Sequence, residues 1–146
     1  MTTVNDILKQ RSQNSLYSVS PDTSVYDALK MMGEKNAGSV LVLDSSGNML
    51  GIFTERDYAR KIVLLGKKSR ETMVKDIMTP AEKIVSVTTG SSLDDCMQQM
   101  TGNKIRHLPV LENGKPVTVI SIGDVVFAVI QQQKETISHL SSYIQG

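Results

Sequence analysis

One cysteine, no tryptophan and two phenylalanines stand in a chain of 146 residues. A lone thiol, Cys96, cannot close an intramolecular disulfide, which excludes a small secreted scaffold held by cross-links. The two histidines, His107 and His139, form no group of the commonest transition-metal ligand, so no metal site is expected. Charge of one sign is missing too. Sixteen Lys and Arg face 15 Asp and Glu, a net charge of +1 that gives no general field for a polyanion and speaks against a dedicated nucleic-acid binder. The longest apolar runs, such as 125–130, are far too short to span a bilayer. The opening MTTVNDILKQRSQ has no basic start, apolar stretch or small-residue cleavage site. A cytoplasmic protein without a membrane segment is expected. There is no Gly-x-x-x-x-Gly-Lys-Ser/Thr loop, no Gly-x-Gly-x-x-Gly after a strand, and no Ser/His/Asp or Cys/His set, so the chain is not expected to be an enzyme.

What the chain does contain is a repetition. GSVLVLDSSGNMLGIFTERD, Gly38 to Asp57, and IRHLPVLENGKPVTVISIGD, Ile105 to Asp124, each read as strand, turn, strand, then hydroxyl, two residues, carboxylate. Before them stand VSPDTSVYDALKMM and VTTGSSLDDCMQQM. Val25, Ala28, Leu29 and Met32, and again Leu93, Cys96, Met97 and Met100, have the spacing of one buried helix face. Ser24 and Ser92 each stand three residues before an Asp, a helix-start signal. Further upstream VNDIL (Val4 to Leu8) is matched by VKDIM (Val74 to Met78). The copies differ by one residue at the hairpin, DSSGN against ENGK, where a turn tolerates a length change. Asp57 and Asp124 are placed to cap the helices that follow them. Residues 1–66 are taken as repeat one, 67–75 as a polar connection, and 76–146 as repeat two with a C-terminal helical extension. A single unit of about sixty residues would be marginal alone, so the two sheets are expected to pack into one module.

The strand pairs ending in TERD and SIGD, the preceding VSPDTSVYDALKMM, the DIMTP that opens copy two, and IRHLPV followed by ISIGDVV resemble a cystathionine-β-synthase (CBS) domain pair, also called a Bateman module. The resemblance covers nearly the whole chain and is similar to small stand-alone members. It implies an α/β fold of two pseudo-symmetric repeats, β-α-β-β-α each, packed through their sheets. It also implies a regulatory, non-enzymatic role: an adenine nucleotide (AMP first, then ATP and NAD(H)) binds in clefts between repeats and signals energy or redox state through conformation or a regulated partner protein. Two other classes stay open, an enzyme acting on a nucleotide and an RNA-binding or structural module.

Candidate ligand residues follow. An ionised Asp is an acceptor with two oxygens that suits ribose hydroxyls, so Asp57 and Asp124 are candidates, with Thr54 and Ser121 donating to a phosphate or ribose oxygen. Free N–H groups at the helix starts would favour an anion. For an isolated Asp at such a position capping alone is the commoner role; the duplication and the resemblance together favour the ligand, and the two roles can coexist. Arg106 suits a phosphate, having a rigid and always charged fork, and His107 beside it is the weaker candidate. By analogy with the family, the adenine slot is assigned to Ile84, Val85, Ile105 and Pro109 in copy two and to Leu16, Tyr17 and Val40 in copy one. Arg56 and Arg60, one turn apart, suit a longer phosphate chain or the second half of a dinucleotide. They belong to a stretch, 55–71, with six basic and three acidic residues, the segment an RNA-binding alternative would use. Thr118 replaces the glycine that copy one keeps as Gly51, which weighs against close ligand approach along that strand. Val126, Ile130, Ile137, Leu140 and Ile144 follow a heptad seam interrupted by Gln133, and with the family habit of pairing modules this points to a homodimer.

Overall fold

The computed structural model describes residues 1–11 and 14–145. In chain order the elements are α1 (Val4–Gln10), β1 (Ser18–Val19), α2 (Val25–Lys35), β2 (Ser39–Leu43), β3 (Met49–Thr54) and α3 (Glu55–Asp57). A π-helical stretch (Tyr58–Val63), a 3-10 turn (Val74–Asp76), β4 (Thr79–Pro80) and a second 3-10 turn (Ala81–Lys83) follow. Then come β5 (Val87–Thr88), α4 (Leu93–Asn103), β6 (His107–Glu112), β7 (Lys115–Ser121) and α5 (Ile122–Gln145). The order β-α-β-β-α thus occurs twice, and the fold is mixed α/β with two sheets.

These elements form two compact units that exchange segments between the repeats. The copy-one unit comprises Ser15–Ile84 with Asn113–Pro116, and the copy-two unit comprises Met1–Asn14, Val85–Glu112 and Val117–Gly146. The opening piece of copy two therefore folds with copy one, and α1 folds with copy two. These spatial divisions fall elsewhere than the sequence divisions at 66 and 76.

In the copy-one unit β1 runs parallel to β2, and β2 and β3 form an antiparallel hairpin. β4 pairs antiparallel with β3, Gly51 opposite Pro80 and Ile52 opposite Thr79, giving a sheet of order β1-β2-β3-β4. Gly51 is what admits β4: a Cβ there would lie 2.5 Å from Met78 Sδ and 2.7 Å from the Thr79 carbonyl oxygen. This glycine thus makes room for a strand. α2 covers the sheet with Val25, Ala28 and Met32, which pack with Val40, Val42 and Phe53 in one core. Leu29, the fourth residue of that stripe, packs from the edge.

In the copy-two unit β5 runs parallel to β6, and the sheet has order β5-β6-β7. The β6–β7 turn, whose residues Asn113–Pro116 group with the copy-one unit, uses Asn113 at φ 53° and Gly114 at φ 79°, the two left-handed residues a tight hairpin needs. α4 buries Leu93, Cys96 and Met100 against Leu108, Val110 and Ile120, and Val4 and Ile7 of α1 complete this core. Ser24 and Ser92 accept from the backbone N–H of Asp27 and Asp95, so both helix-start signals are realised.

Candidate functional site

Both hydroxyl-x-x-Asp motifs fold identically. Thr54 Oγ1 accepts from Asp57 N–H at 3.2 Å, while Asp57 Oδ2 accepts from Thr54 N–H at 3.0 Å and from Thr54 Oγ1 at 3.2 Å. In copy two Asp124 Oδ2 accepts from Ser121 N–H at 2.8 Å and Ser121 Oγ at 3.2 Å, and Ser121 Oγ accepts from Asp124 N–H at 3.3 Å. This is a reciprocal capping box. It corrects the expectation that the aspartates are the N-caps: the hydroxyl residue caps, and the Asp sits three residues on, bonding back. Thr3 and Asp6 make the same box at the start of α1, where no ligand role was expected, so the motif alone is a folding device.

The expected free N–H groups at these helix starts are largely engaged. Glu55 N–H donates to the Gly38 carbonyl at 3.2 Å and Ile122 N–H to the Arg106 carbonyl at 2.8 Å, in addition to the cap bonds of the flanking residues. Each strand pair is thereby latched to its following helix. The physical reason is that a helix start beginning directly at a strand end can satisfy its first donors on the neighbouring strand.

The second carboxylate oxygen distinguishes the two copies. Asp57 Oδ1 accepts from Lys61 Nζ at 3.0 Å and Thr79 Oγ1 at 3.3 Å, and the Asp57 side chain is only 9% exposed. Lys61 Nζ also donates to the Ile77 carbonyl at 3.0 Å. Asp57 is therefore enclosed by its own unit. Around Asp124 the charge comes from Arg11, whose guanidinium reaches Asp124 Oδ2 at 3.4 Å, the Val119 carbonyl at 3.0 Å and Thr118 Oγ1 at 3.4 Å. The bonds that the Asp124 carboxylate accepts from Ser121 and Arg11 all fall on Oδ2, and the Asp124 side chain is 25% exposed. Copy two thus offers the more accessible carboxylate. Thr118, where copy one has Gly51, is buried with its hydroxyl turned to Arg11.

The remaining candidates divide by burial. Arg56, Arg60 and Arg106 are exposed, while Leu16, Tyr17, Ile84, Val85, Ile105 and His107 are half-buried. Val40 is completely buried and Pro109 is buried, so Val40 is a core side chain that a ligand can meet only through the backbone. Ile84 lies in the copy-one unit with Thr54 and Asp57, whereas Val85, Ile105, Arg106, Pro109, Ser121 and Asp124 lie in the copy-two unit. The adenine slot assigned to copy two is therefore divided between units at Ile84. A cavity of about 570 Å³ within the copy-two unit is lined by Asn5, Leu8, Asn14, Thr89, Glu112, Thr118 and their neighbours; neither Ser121 nor Asp124 borders it, and its lining carries no cation to meet a phosphate.

Three residues that complete these sites were not among the sequence candidates. Lys61 had a readable signal, the i,i+4 spacing from Asp57. Thr79 and Arg11 had none, because each reaches its aspartate across the exchanged opening segments. Among the described residues no group of three or more His, Cys, Asp or Glu is arranged to hold a metal, and no helix is long and apolar enough to cross a membrane.

Comparison with known proteins agrees with this geometry. The CBS domain family model matches twice, at residues 3–64 and 74–131. The CBS domain-containing protein CBSX3, mitochondrial, of Arabidopsis thaliana is 40% identical over 99% of this chain and 73% of its own length. A structure of a protein with CBS domains from Burkholderia ambifaria superposes with a TM-score of 0.84 at 48% identity, covering 90% of this chain and 96% of the other. The structure of CBSX2 in complex with AMP gives a TM-score of 0.71 at 28% identity, covering 91% and 99%. With a repeated α/β unit, a capping box closing each strand pair and a family match on both copies, the chain belongs to the CBS-domain family.

Proposed function

We propose that this chain is a regulatory module that binds an adenine nucleotide at the strand-end rims carrying Ser121–Asp124 and Thr54–Asp57, and passes the signal on through conformation or a partner protein. The observation that carries the reading is the Asp124 carboxylate, held in place by Ser121 through Oδ2 and still a quarter exposed. A fixed, accessible acceptor suits a ribose, and Arg106, exposed and joined by its carbonyl to the Ile122 N–H at the same helix start, suits the phosphate. The relative CBSX2 is described in complex with AMP, and AMP is the first ligand we assign, ATP and NAD(H) the next, for energy or redox sensing. We assign the protein no catalytic activity, a homodimeric state and, on a single buried cysteine, a reducing compartment, the cytoplasm.

The basic 56–70 segment supports an RNA-binding role less well than its composition suggests. Lys61 is engaged by Asp57, and the Arg70 guanidinium lies 3.8 Å from the centre of the Tyr26 ring.

The test is native mass spectrometry of the purified protein for retained ligand, followed by calorimetric titration with AMP, ATP and NADH and chromatography of each nucleotide after long incubation. Saturable binding with intact nucleotide is expected. Absence of binding to all three sinks the reading, and consumption of any of them makes the protein an enzyme.

A further inference from the structure

We infer that residues 126–144 of α5 form one strand of a parallel, two-stranded coiled coil with a second copy of this chain. The inference rests on the homodimer proposed above and names the segment, orientation and register that would build part of it. α5 buries only Val125 and Ala128 in its own unit. From 132 to 145 every residue is exposed, including Ile137 at 66%, Leu140 at 58% and Ile144 at 81%. A helical end of that length without tertiary support is marginal in water, so the stretch calls for a partner. The CBS family matches end at residue 131, so the seam begins inside the second matched domain, with Val126 and Ile130, and runs beyond it from Gln133 on.

The spacing of this face identifies the partner. Val126, Ile130, Gln133, Ile137, Leu140 and Ile144 alternate by four and three residues, a heptad seam about 27 Å long. Ile130, Ile137 and Ile144 occupy the positions at which β-branched residues favour two parallel strands, and Leu140 occupies the position at which leucine does. Gln133 is the one polar residue of the seam. In a parallel, in-register pair it occupies a d position and meets its own copy, where each side chain can donate to the other, so the one polar layer is satisfied when the helices are in register. The positions flanking the seam are Phe127, Val129, Lys134, Thr136, Ser141 and Tyr143. With one charge among them, the face has nothing to recruit a charged partner and no like-charge conflict with itself. Val125 and Ala128, the buried residues of α5, lie off this stripe, and Val129, which packs on the core from its edge, flanks the seam without belonging to it.

Two measurements on the full-length protein decide the matter. Sedimentation equilibrium should show the dimer constant weakened at least about a hundredfold in the Ile137→Glu/Leu140→Glu double variant, with an unchanged fold by circular dichroism. Under mild oxidation Ile130→Cys and Leu140→Cys should each form a disulfide-linked dimer, while the parent chain, whose Cys96 is buried, should not. Dimers that survive the double variant and fail to cross-link overturn the coiled coil and leave the homodimer standing. A monomeric parent chain overturns both. Cross-linking only in a mixture of the two cysteine variants would mean antiparallel helices, and also overturns the proposal.

Discussion

Lys61 Nζ stands 3.0 Å from Asp57 Oδ1, one helical turn along and at the entrance to a carboxylate that is otherwise buried. The pair joins the start of the helix after β3 to the segment leading into β4, since the same ammonium donates to the Ile77 carbonyl. Replacing Lys61 by Met leaves Asp57 with its cap and Thr79 only. Loss of a partner at a mostly buried carboxylate costs about 1–3 kcal/mol. Because Lys61 is itself 39% exposed, the lower half of that range is expected. Urea denaturation monitored by circular dichroism checks it; an unchanged midpoint would show that the pair is only a surface contact.

Asp57 and Asp124 should respond differently to the same change. Asp124→Ala removes a cap partner, about 1 kcal/mol, and should weaken AMP binding roughly ten- to a hundredfold through loss of a charged hydrogen bond. Asp57→Ala should lower stability more, because it strands Lys61 and Thr79, and should change AMP affinity less. Calorimetric titration and thermal melts on both variants give the comparison. The reverse ranking in AMP affinity would move the principal rim to copy one.

The arginines should separate by ligand length. Arg106→Ala is expected to weaken AMP, whose single phosphate stays close to its ribose. The Arg56→Ala/Arg60→Ala variant is expected to weaken ATP or NADH more than AMP. Ionic strength is held constant, because exposed charge contacts are screened. Equal losses for AMP and ATP in the double variant would make those arginines a general electrostatic background.

Gly51→Ala should destabilise by about 2 kcal/mol or more, since the new methyl meets the Thr79 carbonyl and the Met78 side chain at overlapping distances. Gly33→Ala, in a helix with open space at the Cβ position, should be neutral or slightly stabilising. Denaturant midpoints of the two variants test the contrast directly.

Burial, aided by the nearby Asp95 carboxylate, pushes the Cys96 thiol up. A folded-state value above the unfolded one leaves stability intact below the ordinary thiol range, about 8.5. That contribution is lost as pH rises through the folded value, because the unfolded chain ionises first. The unfolding midpoint should therefore fall between pH 8 and pH 10, more steeply in the parent chain than in Cys96→Ala. Thiol reagents should react rapidly only in denaturant.

Much of the local architecture was legible because it rests on short-range pattern. The stripe Val25, Ala28, Met32 and its counterpart Leu93, Cys96, Met100 read as helix faces, and Asn113-Gly114 as a hairpin turn, since each signal lies within one element. The aspartates were found for the right spacing, with their cap role assigned three positions off: in hydroxyl-x-x-Asp the hydroxyl residue caps and the Asp bonds back to it. β4 was not legible. It is two residues long, carries no alternation, and pairs with β3 only because Gly51 leaves room. Arg11 and Thr79 were missed for the same reason, as their partners lie over 100 and over 20 residues away in sequence. The π-helical stretch Tyr58–Val63 reads in sequence as ordinary helix.

The exchange of opening segments bears on how such a chain could have originated. Each unit is completed by the opener of the other repeat: α1 seals the core around Leu93 and Cys96, and the residues leading into β4 seal the sheet ending at Gly51. A polypeptide carrying one repeat would possess a body and an opener that do not belong to the same unit. Two such chains trading openers would complete both, so gene fusion would have turned an intermolecular swap into an intramolecular one. Once fused, the copies would have been released from being identical, and Gly51 and Thr118 are one place where they differ.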